Sequence, residues 1–119
     1  MPETVRIDRE HGVILVDSSH QVGEDDLRRS LESVLQIAHH QGLNKVMVDA
    51  TGQTSLPSIM ALYGFASELS SRARNLKHAI VVSEQSPEDI RFIETAAHNR
   101  GVTIQIFSSQ DDALSWLNQ

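Results

Sequence analysis

The sequence contains no cysteine, only three prolines and six glycines, and few aromatic residues, one tryptophan, one tyrosine and three phenylalanines. The missing thiols exclude thiol catalysis, disulfide switching and cysteine metal sites. No apolar run approaches the roughly 18 residues of a membrane span, so an integral membrane segment is not expected. The N-terminal MPETVRIDRE lacks the basic start and apolar core of a secretion signal, and a cytoplasmic protein is the expectation. Basic residues are outnumbered, with 10 Lys and Arg against 16 Asp and Glu and a formal charge of -6. No basic stripe stands out, which argues against a nucleic-acid partner.

What is present is an ordinary globular composition, 39% hydrophobic and 22% charged over 119 residues. A chain of this length makes one domain, expected over residues 1–119, and buries roughly two-thirds of the surface its unfolded form exposes. Neither internal repeat nor linker interrupts it.

The alternating stretch Thr4–Asp8 predicts a half-buried strand, and Val13–Val16 a second one paired with it across a turn at Arg9–Gly12. Asp17–Gln21 reads as a loop. Val22 before a Gly23 cap, the acids Glu24, Asp25 and Asp26, and the spacing of Leu27, Leu31, Val34, Leu35 and Ala38 predict a helix ending at Gly42. Val46–Asp49 follows as a strand buried on both faces, and Ala50–Ser55 as a loop of turn-forming residues. Ile59, Leu62, Ala66, Leu69 and Ala73 then predict a second helix, with Pro57 in its first turn. Ala79–Val82 is the next strand. Ser86 as cap, Pro87, Glu88 and Asp89 open a helix that buries Ile90, Ile93 and Ala97 and ends at Gly101. Thr103–Phe107 is the last strand, and Ser108 or Ser109 caps a closing helix with Ala113, Leu114 and Leu117 inward and Trp116 at its edge. Strands that alternate with helices imply a largely parallel sheet.

The segment Lys45–Ser58 is the expected functional stretch, because ligands and partners of open α/β sheets meet the carboxyl ends of the strands. No motif in it dictates a reaction. Phosphate-binding GxxxxGK[ST], dinucleotide GxGxxG and the GxSxG nucleophile elbow are all missing, so no catalytic residue and no cofactor is assigned. Asp49 reads as a carboxylate satisfying loop amides, with a base or metal-ligand role as the alternative. His39 and His40 are adjacent and point about 100° apart on a helix, and no metal site is expected there. Arg72, Arg74 and Lys77 form a small basic group that complements a helix end or meets an anionic headgroup.

The order of elements, the strand-acid-loop-helix over Val46–Ser58, and the segments FIETAAHNRG (92–101) and ALSWL (113–117) resemble the STAS-like domains. That superfamily includes the bacterial anti-sigma-factor antagonists of SpoIIAA type and the cytoplasmic domains of sulphate transporters. The FxETxAxNRG and ALxWL patterns resemble a small stand-alone bacterial branch of undefined role. The resemblance covers essentially the whole chain. It implies an α/β fold of order β-β-α-β-α-β-α-β-α, with a mixed, mostly parallel five-stranded sheet, an N-terminal antiparallel hairpin and four helices. It further implies a non-enzymatic protein-interaction domain in bacterial signalling or regulation, binding an unidentified protein partner through Thr51, Gly52, Gln53, Thr54, Ser55, Leu56, Ser58 and Ile59. Ser58 falls where the antagonists carry a phosphorylated serine, although Pro57 stands in place of the acid before it and Ile59-Met60 in place of Ser-Gly. Without a phosphate, Ser58 reads as a first-turn hydroxyl bonded to backbone or water. A homodimer covering an open hairpin edge is compatible with this reading. The alternative is a small-ligand or lipid-binding domain of Sec14-like type, with a pocket lined by Tyr63, Phe65 and Phe92.

Overall fold

Apolar runs that are too uniform to alternate become strands covered on both faces, and the amphipathic segments between them supply the cover. The structure, a computed structural model, describes residues 3–119. The order is β1 (Glu3–Asp8), β2 (Val13–Gln21), α1 (Glu24–Gln41), β3 (Lys45–Ser55), α2 (Ile59–Arg72), β4 (Lys77–Val81), α3 (Asp89–His98), β5 (Thr103–Phe107) and α4 (Gln110–Leu117). The five strands lie in the order β1-β2-β3-β4-β5, with β1 antiparallel to β2 and every later pair parallel. The expected α/β architecture and topology are borne out.

This strand order explains where the helices lie. Each of the three crossovers, through α1, α2 and α3, steps one strand in the same direction, and crossovers of one hand put their helices on one face. Ile14, Val16, Val46, Ile80 and Ile104 project to that face and meet Leu27, Leu31, Val34, Leu62, Leu69, Ile90 and Ile93. Helix α4 follows the last strand, crosses to nothing, and covers the opposite face with Ala113 and Leu117 against Val13, Leu15, Met47, Ala79 and Val81. Trp116 sits at the rim of that smaller core, 5.4 Å from Phe107 and beneath the Lys77 ammonium at 4.4 Å.

Several boundaries differ from expectation. Asp17–Gln21 and Ala50–Ser55, read as loops, are the second halves of β2 and β3 and pair with each other from Ser19↔Gly52 to Gln21↔Ser55. Two register shifts interrupt this pairing, and His20 adopts φ 60 there. A Cβ on Gly52 would lie 3.2 Å from Ser19 Cβ, so the glycine lets the two strands approach. Pro57 precedes the cap Ser58 and lies outside the first turn of α2. Ile59, which shares the helical spacing of Leu62 and Ala66 and is also an expected contact residue, is 46% exposed. Ser86 does not cap α3; that helix starts two residues after Pro87, with Glu88 as its flanking residue. By contrast, Gly23 opens α1 with its amide donating to Asp26 Oδ2 at 2.8 Å, and Gly42 closes it at φ 66.

Candidate functional site

The carboxyl end of β3 is held in place by hydrogen bonds from three sides. Asp49 Oδ1 accepts from the Thr51 amide at 3.1 Å and the Thr51 hydroxyl at 2.7 Å, while Oδ2 accepts from Gln110 Nε2 at 2.9 Å. The carboxylate is therefore engaged locally, as the plainer of its two readings expected. The loop after β4 clasps the same backbone: Ser86 Oγ donates to the Ala50 carbonyl at 2.9 Å and Ser83 Oγ to the Thr51 carbonyl at 3.0 Å. On the other side the Val22 amide donates to the Ser55 carbonyl at 3.0 Å. This is the part Ser86 plays in place of capping α3.

From this anchored strand the chain turns through Leu56 and Pro57 into α2. Ser58 adopts an extended conformation and its Oγ accepts from the Ala61 amide at 3.2 Å, the geometry of an N-cap. No acidic residue of α2 lies in its first turn. Next to this cap stand three exposed large apolar residues, Ile59 at 46%, Met60 at 85% and Tyr63 at 52%. Met60 points away from the buried Leu62 and Ala66, while Ile59 and Tyr63 flank that buried face and stay exposed at the start of the helix. Arg100 rests its guanidinium 4.2 Å over the Tyr63 ring and so puts a cation at the edge of the apolar group.

The expected contact residues do not all share one surface. Thr51, Gly52, Thr54, Ser55, Ser58 and Ile59 are exposed and Leu56 is half-buried, but Gln53 is 4% exposed and points into the interior. As a contact residue Gln53 is thus a correction, and its cause is the strand: once 51–55 is extended, alternate residues face opposite sides. Gln53 Nε2 donates to Ser18 Oγ at 2.7 Å, and Ser18 donates in turn to Glu3 Oε2 at 2.7 Å. Ser30 on α1 donates to Glu3 Oε1 at 2.6 Å. Burial raises the pKa of Glu3, and the two serine hydroxyls oppose that rise. Sequence reasoning missed Glu3, although a signal was present: it shares the strand parity of Val5 and Ile7, the inward residues of β1.

Other candidates disperse. Arg72 pairs with Glu32 and Glu68, Arg74 donates to Ser70 Oγ and Lys77 covers Trp116, so the three cations do not form a common site. His39 and His40 are exposed and contact each other edge-on. Asp8, Glu10 and His11 bring ligand atoms within 4.8 Å of one another, yet His11 Nδ1 and Asp8 Oδ2 already pair at 2.8 Å on an exposed turn. Of the aromatic residues expected to line a pocket, Phe65 lines an interior cavity, whereas Tyr63 is on the surface and Phe92 lies outside the cavity wall. That cavity, about 80 Å³, has no room for a lipid chain.

No family model matches the chain, and neither does any curated protein. Solved structures do. A DUF3478-family protein with a SpoIIAA-like fold from Shewanella loihica PV-4 superposes with a TM-score of 0.63 at 16% identity, covering 97% of this chain and 91% of the other. The anti-sigma factor antagonist SpoIIAA in its unphosphorylated form superposes with a TM-score of 0.59 at 10% identity over 98% and 97% of the two chains. The phosphorylated form of SpoIIAA, described as a Bacillus cell fate determinant, gives 0.54 at 10% identity over 96% and 97%. With its strand order, its antiparallel first pair and its four helices matched over nearly the full length, this chain has the SpoIIAA-like fold.

Proposed function

We propose that the protein is a non-enzymatic interaction domain in bacterial signalling or regulation, working in the cytoplasm and capturing a protein partner through the surface at the end of β3 and the start of α2. The observation that carries this reading is the exposed apolar group Ile59, Met60 and Tyr63 beside the Ser58 cap. Apolar side chains grouped on a polar rim mark contact sites, and this group stands on a helix anchored by a rigid strand. Thr51, Gly52, Thr54 and Ser55 supply polar contacts at its border, and Leu56 joins it to the core. The description of two structural neighbours as forms of an anti-sigma factor antagonist supports a regulatory role over a catalytic one.

Ser58 is the switch in this reading. A phosphate on its hydroxyl would gain from the positive end of α2, whose own first turn carries no acid, and would add about 1.5 to 2 negative charges at the contact surface. Its phosphorylation therefore keeps the fold and changes the affinity. Self-association across the open edge of β1 is compatible with this arrangement.

The test is capture from a bacterial lysate by the full chain and its Met60→Asp and Ser58→Asp variants, with Arg9→Asp, remote from the surface, as control. Specific capture that Met60→Asp and Ser58→Asp abolish and Arg9→Asp preserves supports the proposal. Capture indifferent to Met60 and Ser58, with melting temperatures unchanged, overturns it. Native mass spectrometry of the gently purified protein reports subunit number and any covalent phosphate in one measurement.

A further inference from the structure

The exposed apolar group at the start of α2 does not end at Met60. Toward α1 it falls into a groove of about 200 Å³, floored by Leu27, Leu31, Ala61 and Phe65 and with Met60 on its rim. That volume exceeds the roughly 150 Å³ that holds benzene in an engineered cavity, so the groove seats one large apolar side chain. Gly64 also lines it, and a Cβ there would meet nothing within 4 Å.

Charge along the groove is unequal. At one end Glu24 and Asp25 both pair with Arg28, at 2.8 and 3.3 Å. At the other, Glu32 on α1 and Glu68 on α2 both pair with Arg72, which bridges the two helices. Four carboxylates therefore share two guanidiniums, an excess of two negative charges. The partial positive charges of the helix starts act within a turn of the caps Gly23 and Ser58, and the Glu32–Glu68 end lies beyond their reach.

This pattern selects among occupants. A second copy would bring the same excess against its own, in a chain whose formal charge is already -6. An anionic lipid surface or a nucleic acid is repelled for the same reason. A protein segment with basic residues beside an apolar anchor matches both the floor and the rim.

We propose that the α1–α2 groove seats an apolar side chain of the protein partner, on a segment whose flanking residues are Lys or Arg, with those cations set against Glu24 and Glu68. The inference rests on the reading of the start of α2 as a contact surface, and it adds the partner's chemistry.

The test uses two synthetic amphipathic helical peptides with the same leucine stripe, one flanked by lysine and one by glutamate, titrated into the full chain by NMR. The lysine peptide should bind saturably, shift the Gly64 and Phe65 amides and weaken with added salt, and the glutamate peptide should not bind. Gly64→Leu fills the groove without changing charge and should lower the affinity about tenfold or more, the loss of one buried leucine, while the better helix former keeps the fold. Glu68→Lys should lower it about threefold to fivefold, the scale of an exposed charge pair. Glu10→Lys, the same change of charge on the β1–β2 turn, should leave it unchanged. Equal binding of the two peptides, affinity indifferent to Gly64→Leu, or equal weakening by Glu10→Lys overturns the proposal. So does a change of subunit number in Gly64→Leu by native mass spectrometry, which would give the groove to a second copy. Lysate capture that Met60→Asp abolishes but Gly64→Leu and Glu68→Lys preserve sinks this inference and leaves the contact surface standing; capture indifferent to Met60→Asp removes both.

Discussion

The two faces of the sheet are built to different standards. Beneath α4, Val13, Ala79, Ala113 and Leu117 are fully buried, Met47 and Val81 nearly so, and the cluster is entirely apolar. Beneath α1, α2 and α3 the cluster is larger, and it encloses a cavity, a serine-bound carboxyl, a neutral-leaning histidine and an amide oxygen without a donor. One short helix over a strip of sheet can be close-packed. Three helices that must each meet the sheet and one another leave gaps, and the polar groups are found where the gaps are. Packing is thus most uniform on the α4 face, while the larger three-helix face carries buried polar groups and has the exposed Ile59, Met60 and Tyr63 on its α2 rim.

Truncation on the close-packed face should show the largest effect. Leu117→Ala is expected to cost about 2 to 5 kcal/mol in chemical denaturation, because a fully buried leucine is lost from a cluster with little freedom to collapse. Enlargement sharpens the contrast. Ala79→Val, at 0% exposure on the α4 face, should destabilise by about 1 to 3 kcal/mol through overpacking. Val16→Ile, which adds one methylene against the cavity, should be neutral or stabilising by up to about 1 kcal/mol. Equal penalties for the two would refute the difference in packing.

The pH dependence of stability should also belong to the three-helix face. Glu3 has a folded pKa raised above its ordinary 4.5 by burial, so the folded state holds the proton more tightly than the unfolded one. Its contribution is complete below that value and is lost as pH rises through the folded pKa. Glu3→Gln should abolish this loss on the alkaline side of 4.5. His78 runs the other way. Burial lowers its pKa below 6.5 while a 3.1 Å contact from Nε2 to the Ala73 carbonyl opposes the shift. Its contribution is complete above 6.5 and is lost as pH falls through the lowered folded value, a dependence that His78→Leu should remove. Denaturation midpoints across the acid-to-neutral range check both signs. The smallest effect belongs to the rim: Gly64→Ala on α2, where a Cβ meets no atom within 4 Å, should stabilise by about 0.5 to 1 kcal/mol.

How much of this was legible in the sequence differs by element. Helix α1 was legible at both ends, because Gly23, Asp26 and Gly42 act within a few residues of where they stand. The site was legible in position and not in form. Thr51–Ser55 carries turn-forming residues and yet continues β3, since β2 lies alongside with bulges that absorb the register and Gly52 permits the close approach. That extension buried Gln53, a residue chosen from sequence as a surface contact. Ser86 looked like a helix cap because the Ser-Pro-Glu-Asp order is a good local signal, but the Ala50 carbonyl across the sheet claimed its hydroxyl.

The sequence by itself determined the alternation of strands and helices, their faces and most of their ends, because periodicity, capping and glycine conformation act over a few residues. Only the tertiary structure decided that Glu3, Ser18, Ser30 and Gln53 would meet in one hydrogen-bonded network, and that Ile59, Met60 and Tyr63 would be left outside. Those outcomes depend on which surfaces three helices and five strands have left to cover once they pack together, and no local pattern contains that information.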